Sequence, residues 1–256
     1  PLKRTQARWR HLAPLLARMY PRLDAVVAVS EGVADELARA TGLPREAITP
    51  IYNPVVSPRL AEWVASGTDH PWLAGNRDRP VVLGVGRLAG MKDFPTLLRA
   101  FARLRAQRPA RLLILGDGPR RRWLQWLIRR FGLTGDVDMP GWAANPYAFY
   151  ARADLFVLSS RSEGLPNALL EAMACGCPVV STDCPSGPQE ILDGGRYGQI
   201  VPVGDDTALA RTMAETLDAP PDPETLQARA QEFSMDRSAD AHLALFRACL
   251  GDGTGG

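Results

Sequence analysis

Repeated short runs of Val, Leu and Ile, each followed by a helical pattern, mark this chain as an α/β protein built on a doubly wound parallel sheet. The runs carry no polar alternation, so each strand is buried on both faces, which is the habit of a parallel sheet covered by helices.

The elements follow in order. "AVVAVS" (25 to 30) precedes the helical "EGVADELARATG", and "ITPIYNPV" (48 to 55) follows it. "PVVLGVG" (80 to 86) leads to "FPTLLRAFARLRAQ", a helix expected to start near Pro95, and "RLLILGDG" (111 to 118) leads to "RRRWLQWLIRRFG". "VDMPG" precedes "NPYAFYARA", "DLFVLSS" precedes "PNALLEAMACG", and "PVVSTD" precedes "GPQEILDGG". Between Asn53 and Arg79 lie Pro54, Pro58, Gly67, Pro71 and Gly75 with no long periodic run. That stretch divides the chain into residues 1–56, a linker at 57–79 and a domain at 80–250. The last helix of that domain could pack back on the first part. Residues 251–256, "GDGTGG", read as a disordered tail. Residues 1–56 hold too few strands for a closed sheet, and the chain opens with Pro1 in the middle of a helical pattern, so it is expected to be a piece of something longer.

The bulk composition fits a soluble globular protein: 46% apolar and 23% charged residues over 256, with a net charge of +2. No apolar run spans a bilayer and no leader precedes the first helix, so a cytoplasmic location is expected. Basic clusters at Lys3, Arg4, Arg8, Arg10, Arg18 and Arg22, and at Arg120, Arg121, Arg122, Arg129 and Arg130 around Trp123 and Trp126, could meet phosphates or the inner face of a membrane. Leu124, Leu127, Ile128 and Phe131 give the second cluster a core face, which favours plain solvation of the rest. Cys175, Cys177 and Cys184 lie close together and Cys249 is remote; with no C-x-x-C spacing they read as reduced, packed thiols.

Two loops carry candidate chemistry. "GVGRLAG" formally matches a dinucleotide fingerprint, but Met91, Lys92 and Asp93 intervene before its helix, which weakens that reading. The same loop supplies Gly86, Arg87 and Lys92, able to grip phosphate or simply to lie solvated. In "SEGLPNALLEAMACG", Pro166 is expected at the first helical position, where free N–H groups and the helix dipole suit an anion. Glu163 stands in the turn, and Glu171 lies roughly 7 Å along the helix axis among small neighbours. A carboxylate accepts two hydroxyls, so the pair suits two diols; helix capping by Glu163 and a salt bridge to Glu171 are the plain alternatives.

These segments together, "GVGRLAGMKDF", "LLILGDGP", "MPGW", "NPYAFYARADLFVLSS" and "SEGLPNALLEAMACGCPVVSTDCPSGPQEIL", resemble the donor half of retaining glycosyltransferases of family 4, over about residues 22 to 205. The resemblance implies a GT-B fold. It makes residues 80–250 a Rossmann-like donor domain and 1–56 the end of an incomplete, Rossmann-like acceptor domain. It implies that Arg87 and Lys92 bind the diphosphate and that Glu163 meets the transferred sugar. Gly164, Leu165, Pro166 and Asn167 would face sugar and phosphate, Glu171 the ribose, and Pro140 and Gly141 the base. Arg87, Lys92 and Glu163 would be catalytic.

The implied activity moves a hexose or N-acetylhexosamine from a nucleotide-diphosphate sugar to a saccharide or lipid-linked acceptor. It uses no metal, no other cofactor and no nucleic acid. The "TDCPSGPQEIL" loop is similar to members using UDP-sugars. "DVD" (136 to 138), which resembles a metal-binding D-x-D, lacks context and reads as surface. The histidine that such acceptor domains often contribute has no match in His11, His70 or His242. Two alternatives stand beside this reading: a catalytically incomplete nucleotide-sugar binding module, and a sugar-nucleotide epimerase of similar architecture.

Overall fold

The structure, a computed structural model, describes residues 12–75 and 77–251. The basic residues Lys3, Arg4, Arg8 and Arg10, with His11 and the tail 252–256, lie outside the described residues.

The first part is a βαβ unit. Strand β1 (Val26–Ala28) pairs in parallel with β2 (Ile48–Pro50), and helix α1 (Glu31–Thr41) crosses between them. Ser30 fixes the helix start by accepting from the Val33 N–H at 3.2 Å, and Gly42 ends it in the left-handed conformation at φ 75°. Ala34 and Leu37 pack on Ala28 and Ile48. Within 57–79 lies a short helix, α2 (Leu60–Ala65), whose Trp63 stacks on Tyr147 at 4.8 Å. It is only six residues long, between Pro58 and Gly67, too short to show a helical period in the sequence.

Six parallel strands make the main sheet: β3 (Val81–Val85), β4 (Arg111–Leu115), β5 (Val137–Gly141), β6 (Leu155–Leu158), β7 (Val179–Thr182) and β8 (Gln199–Val201), in the order β5-β4-β3-β6-β7-β8. Alternate residues serve opposite layers. Leu112 and Ile114 pack with helices α3 (Phe94–Gln107), α4 (Arg121–Arg130) and, later in the chain, Asp206–Asp218. Leu113 and Leu115 pack with the short helix α5 (Tyr147–Tyr150), with α6 (Asn167–Ala174) and with α7 (Pro188–Leu192). Both faces being covered explains the unbroken apolar runs; each fully buried Leu or Phe contributes about 1.5–3 kcal/mol.

Helix α8 is the segment Asp206–Asp218, and α9 (Pro223–Ala230) packs on α6. The final helix, α10 (Met235–Leu250), begins at Ser234 and returns to the first part: Met235 N–H donates to Val56 O at 3.0 Å and Ser238 Oγ to Tyr52 O at 2.9 Å.

Candidate functional site

The strand order reverses between β3 and β6, and their C-terminal ends open into the loops 86–93 and 159–166. Such a switch point is where open α/β sheets bind ligands. Gly86 leaves β3 at φ 152°, and its carbonyl approaches Gly116 so closely that a Cβ at 116 would stand 2.1 Å from it. Exposed backbone there borders a cavity of about 530 Å³, whose walls include Gly86, Arg87, Asp117, Trp142, Ala143 and Pro146. Arg87 is exposed and makes no ion pair among the described residues.

Lys92 does not stand free beside Arg87. Its Nζ donates to Glu163 Oε1 at 2.6 Å, with the side chains 22% and 12% exposed. Ser160 Oγ donates to the same oxygen at 2.6 Å. The two loops are joined besides by Arg161 N–H donating to Met91 O at 2.7 Å and Ser159 Oγ donating to Lys92 O at 2.8 Å. Asp93, almost fully buried at φ 43°, accepts from Thr96 Oγ1 at 2.8 Å and from Arg161 Nε at 2.7 Å. Glu163 is thus the acceptor of a cation and a hydroxyl rather than a helix cap.

Pro166 precedes the first turn of α6 instead of occupying it, with ψ 86°. It is packed against the 185–188 loop: a Cβ at Gly187, whose φ is 92°, would come within 2.3 Å of Pro166 Cδ, so the chain is held extended there. Gly164 turns its carbonyl to the first unit, where Ser30 Oγ donates to it at 2.9 Å. Leu165 is buried, and the exposed Asn167 accepts from Asn53 Nδ2 at 2.9 Å. Glu190 ties the same region to α1 by accepting from Gly32 N–H at 2.8 Å and Glu31 N–H at 2.9 Å, and from Tyr52 OH at 3.2 Å. Burial and the Glu190 charge push the Tyr52 hydroxyl up to about 12.

Among the described residues, Glu171 meets no cation within ion-pair distance. Tyr150 OH donates to Glu171 Oε2 at 3.0 Å, and burial raises the glutamate above its ordinary carboxylate range, opposed by that bond and by the charge of Lys92. The same burial lifts Cys175 to about 12 and Tyr150 well above its ordinary value. All four cysteines are free thiols.

Gly141 closes β5 at φ 104°, its carbonyl accepting from Gly116 N–H at 2.7 Å, and Pro140 is exposed beside it. "DVD" is not a plain surface feature. Asp136 is largely covered by Arg79 at 3.1 Å and Arg105 at 2.8 Å, and Asp138 bonds His70 Nε2 at 3.0 Å. Those cations and the histidine meet the charges, which a sequence window of three residues cannot reveal.

The family model for glycosyl transferases group 1 matches residues 79–219, more than half of the chain, and that for Glycosyltransferase Family 4 matches residues 2–57. The chain belongs to the group 1 glycosyltransferases. This glycosyltransferase chain is 33% identical over 237 residues to the lipopolysaccharide core biosynthesis glycosyltransferase LpsE of Rhizobium meliloti strain 1021, covering 91% of the chain and 66% of LpsE. It is 29% identical over 208 residues to an N-acetylgalactosamine-N,N'-diacetylbacillosaminyl-diphospho-undecaprenol 4-alpha-N-acetylgalactosaminyltransferase of Campylobacter jejuni, covering 80% of the chain and 53% of that relative. Anabaena HepE, solved in complex with UDP and glucose, superposes with a TM-score of 0.78 at 23% identity, over 94% of this chain and 67% of HepE. That likeness shows the GT-B fold. The chain spans about half to two thirds of the length of these curated relatives.

Sequence reasoning missed Tyr150, Ser160, Glu190 and Trp142 in this group 1 chain. The aromatic content of "NPYAFYARA" was the available signal for Tyr150, but its pairing with Glu171 depends on the crossover through β6.

Proposed function

We propose that this chain is the donor-binding part of a retaining glycosyltransferase. It moves a hexose or N-acetylhexosamine from a nucleotide-diphosphate sugar, a UDP-sugar by preference, to a saccharide or lipid-linked acceptor. The observation that carries the proposal is Glu171, a carboxylate raised by burial and held by a single phenolic donor, on the same helix whose entry turn holds Glu163 against Lys92. A half-buried carboxylate with unused acceptor capacity suits a ribose diol.

In this reading Arg87 and Lys92 take up the charge that develops on the departing diphosphate, an electrostatic effect of about 2.7–4 kcal/mol for one well-placed donor. Lys92 reaches the phosphate by yielding part of its contact with Glu163, which frees the glutamate for a sugar hydroxyl. Pro140 and Gly141, with Trp142 on the cavity wall, border the base. Front-face attack by the acceptor hydroxyl gives retention. No metal is assigned to the reaction.

The UDP preference is supported by a fold relative solved with UDP and glucose, and the acceptor class by relatives named for lipopolysaccharide core and diphospho-undecaprenol substrates. Because the chain covers only part of those relatives, a second reading is kept: a nucleotide-sugar binding module that is inactive by itself.

Thermal-shift titration with UDP, UDP-glucose, UDP-N-acetylglucosamine and GDP-mannose tests the donor assignment. The proposal expects UDP-linked ligands to raise the melting temperature and GDP-mannose to leave it unchanged. A shift with none of the four would overturn it.

A further inference from the structure

Five arginines and two tryptophans fall within Arg120 to Arg130, and there is no acidic residue between Asp117 and Asp136. Helix α4 buries Leu124, Leu127 and Ile128 in the core. At about 100° per residue, the outward arc of about 120° holds Arg129, Arg122, Trp126, Arg130 and Trp123. All five are exposed, the two indoles by 53% at Trp126 and 42% at Trp123.

The contrast with the neighbouring arginines is informative. Arg99, Arg103, Arg105, Arg108, Arg111 and Arg161 each reach a carboxylate. Among the described residues, Arg120, Arg122, Arg129 and Arg130 reach none, and Arg121 donates to the carbonyl of Met139 instead. Arg120 lies over the Trp123 ring at 5.0 Å. Solvation alone accounts for exposed arginines but not for two exposed indoles set among them, since large apolar rings are driven from water. Indoles interleaved with unpaired cations match the boundary layer of an anionic bilayer, where rings sit at headgroup depth and guanidinium groups meet phosphate.

We propose that the outward face of α4 docks this protein on an anionic lipid surface. Trp123 and Arg120 also wall a cavity of about 530 Å³ together with Ala89, Gly90 and Met91 of the donor-site loop, and Met91 is itself 49% exposed. Docking through this face therefore brings the membrane beside the loop that carries Arg87 and Lys92. The inference does not depend on the donor assignment, because the bilayer contact uses none of the residues given to nucleotide or sugar.

Co-sedimentation of the chain, without nucleotide, with vesicles of phosphatidylcholine alone and of phosphatidylcholine mixed with phosphatidylglycerol tests it. The expected result is binding to the mixed vesicles that weakens with added salt, and little binding to phosphatidylcholine. Arg122→Gln/Arg129→Gln/Arg130→Gln lowers that partitioning by at least about tenfold. Trp123→Ser/Trp126→Ser also weakens it, while both variants keep the wild-type melting profile. Absence of binding to the anionic vesicles would overturn the proposal. So would equal binding by both variants, which would place the contact elsewhere, or capture of a single-stranded oligonucleotide with no lipid binding.

Discussion

Lys92 and Glu163, 71 positions apart, meet at 2.6 Å across the junction of the two central strands, and Ser160 shares the same carboxylate oxygen. Neither charge is fully exposed, so the pair couples the loop after β3 to the turn that leads into α6.

Breaking that pair from one side should cost more than removing it. Lys92→Met leaves a largely covered carboxylate with only Ser160 as donor and is expected to destabilise the fold by about 1–3 kcal/mol. Lys92→Met/Glu163→Gln should recover part of that loss. A double-mutant cycle in urea measures the coupling, and strict additivity would show that the two side chains act independently.

Glu171 gives a pH signature. Burial raises its folded-state value above the ordinary 4.5, so the folded protein holds the proton more tightly than the unfolded chain does. The associated stability is fully present below about 4.5 and is lost as pH rises through the raised folded value. Glu171→Gln keeps an acceptor for Tyr150 and carries no charge. Its melting temperature should match wild type in acid and exceed it at neutral pH. A variant less stable than wild type at neutral pH would contradict this account of the glutamate.

Glu190 and Gly32 bind the first unit to the 185–190 loop. A methyl at Gly32 would meet Ser186 Oγ at 2.9 Å and its Cα at 3.0 Å, so Gly32→Ala should cost about 1–3 kcal/mol. Glu190→Gln, which loses the charge at the start of α1, should cost about 0.3–1 kcal/mol. Chemical denaturation checks both.

At the crossing of the loops after β3 and β4, Gly116→Ala sets a methyl against backbone rather than a flexible side chain, at φ 126°. Expression of this variant should yield little folded protein, whereas Gly135→Ala, with open space at its Cβ, should be tolerated.

Most of the sheet was legible because β3, β4, β6 and β7 are buried on both faces, whereas β8, three residues beginning on the exposed Gln199, offers no such run. The turn at 163–167 was legible because a strand end, a glycine and a proline stand together. What escaped was every contact made by the crossovers. Tyr150 lies on a four-residue helix too short to show a period, and its partner is 21 positions on. Glu190 looks like an ordinary first-turn acid of α7, yet its carboxylate serves the helix of another unit 158 positions earlier. Pro166 was expected one position further into its helix, since nothing local announces that Gly187 packs on it.

The proposed donor site rests most directly on Glu171. Calorimetric titration of UDP-glucose and UDP-N-acetylglucosamine into wild type and Glu171→Ala should give saturable binding of at least one of them. That binding should weaken about 10- to 100-fold in the variant, the loss of a charged acceptor from a diol. Equal affinity in the two proteins would contradict the assignment of Glu171 to the donor.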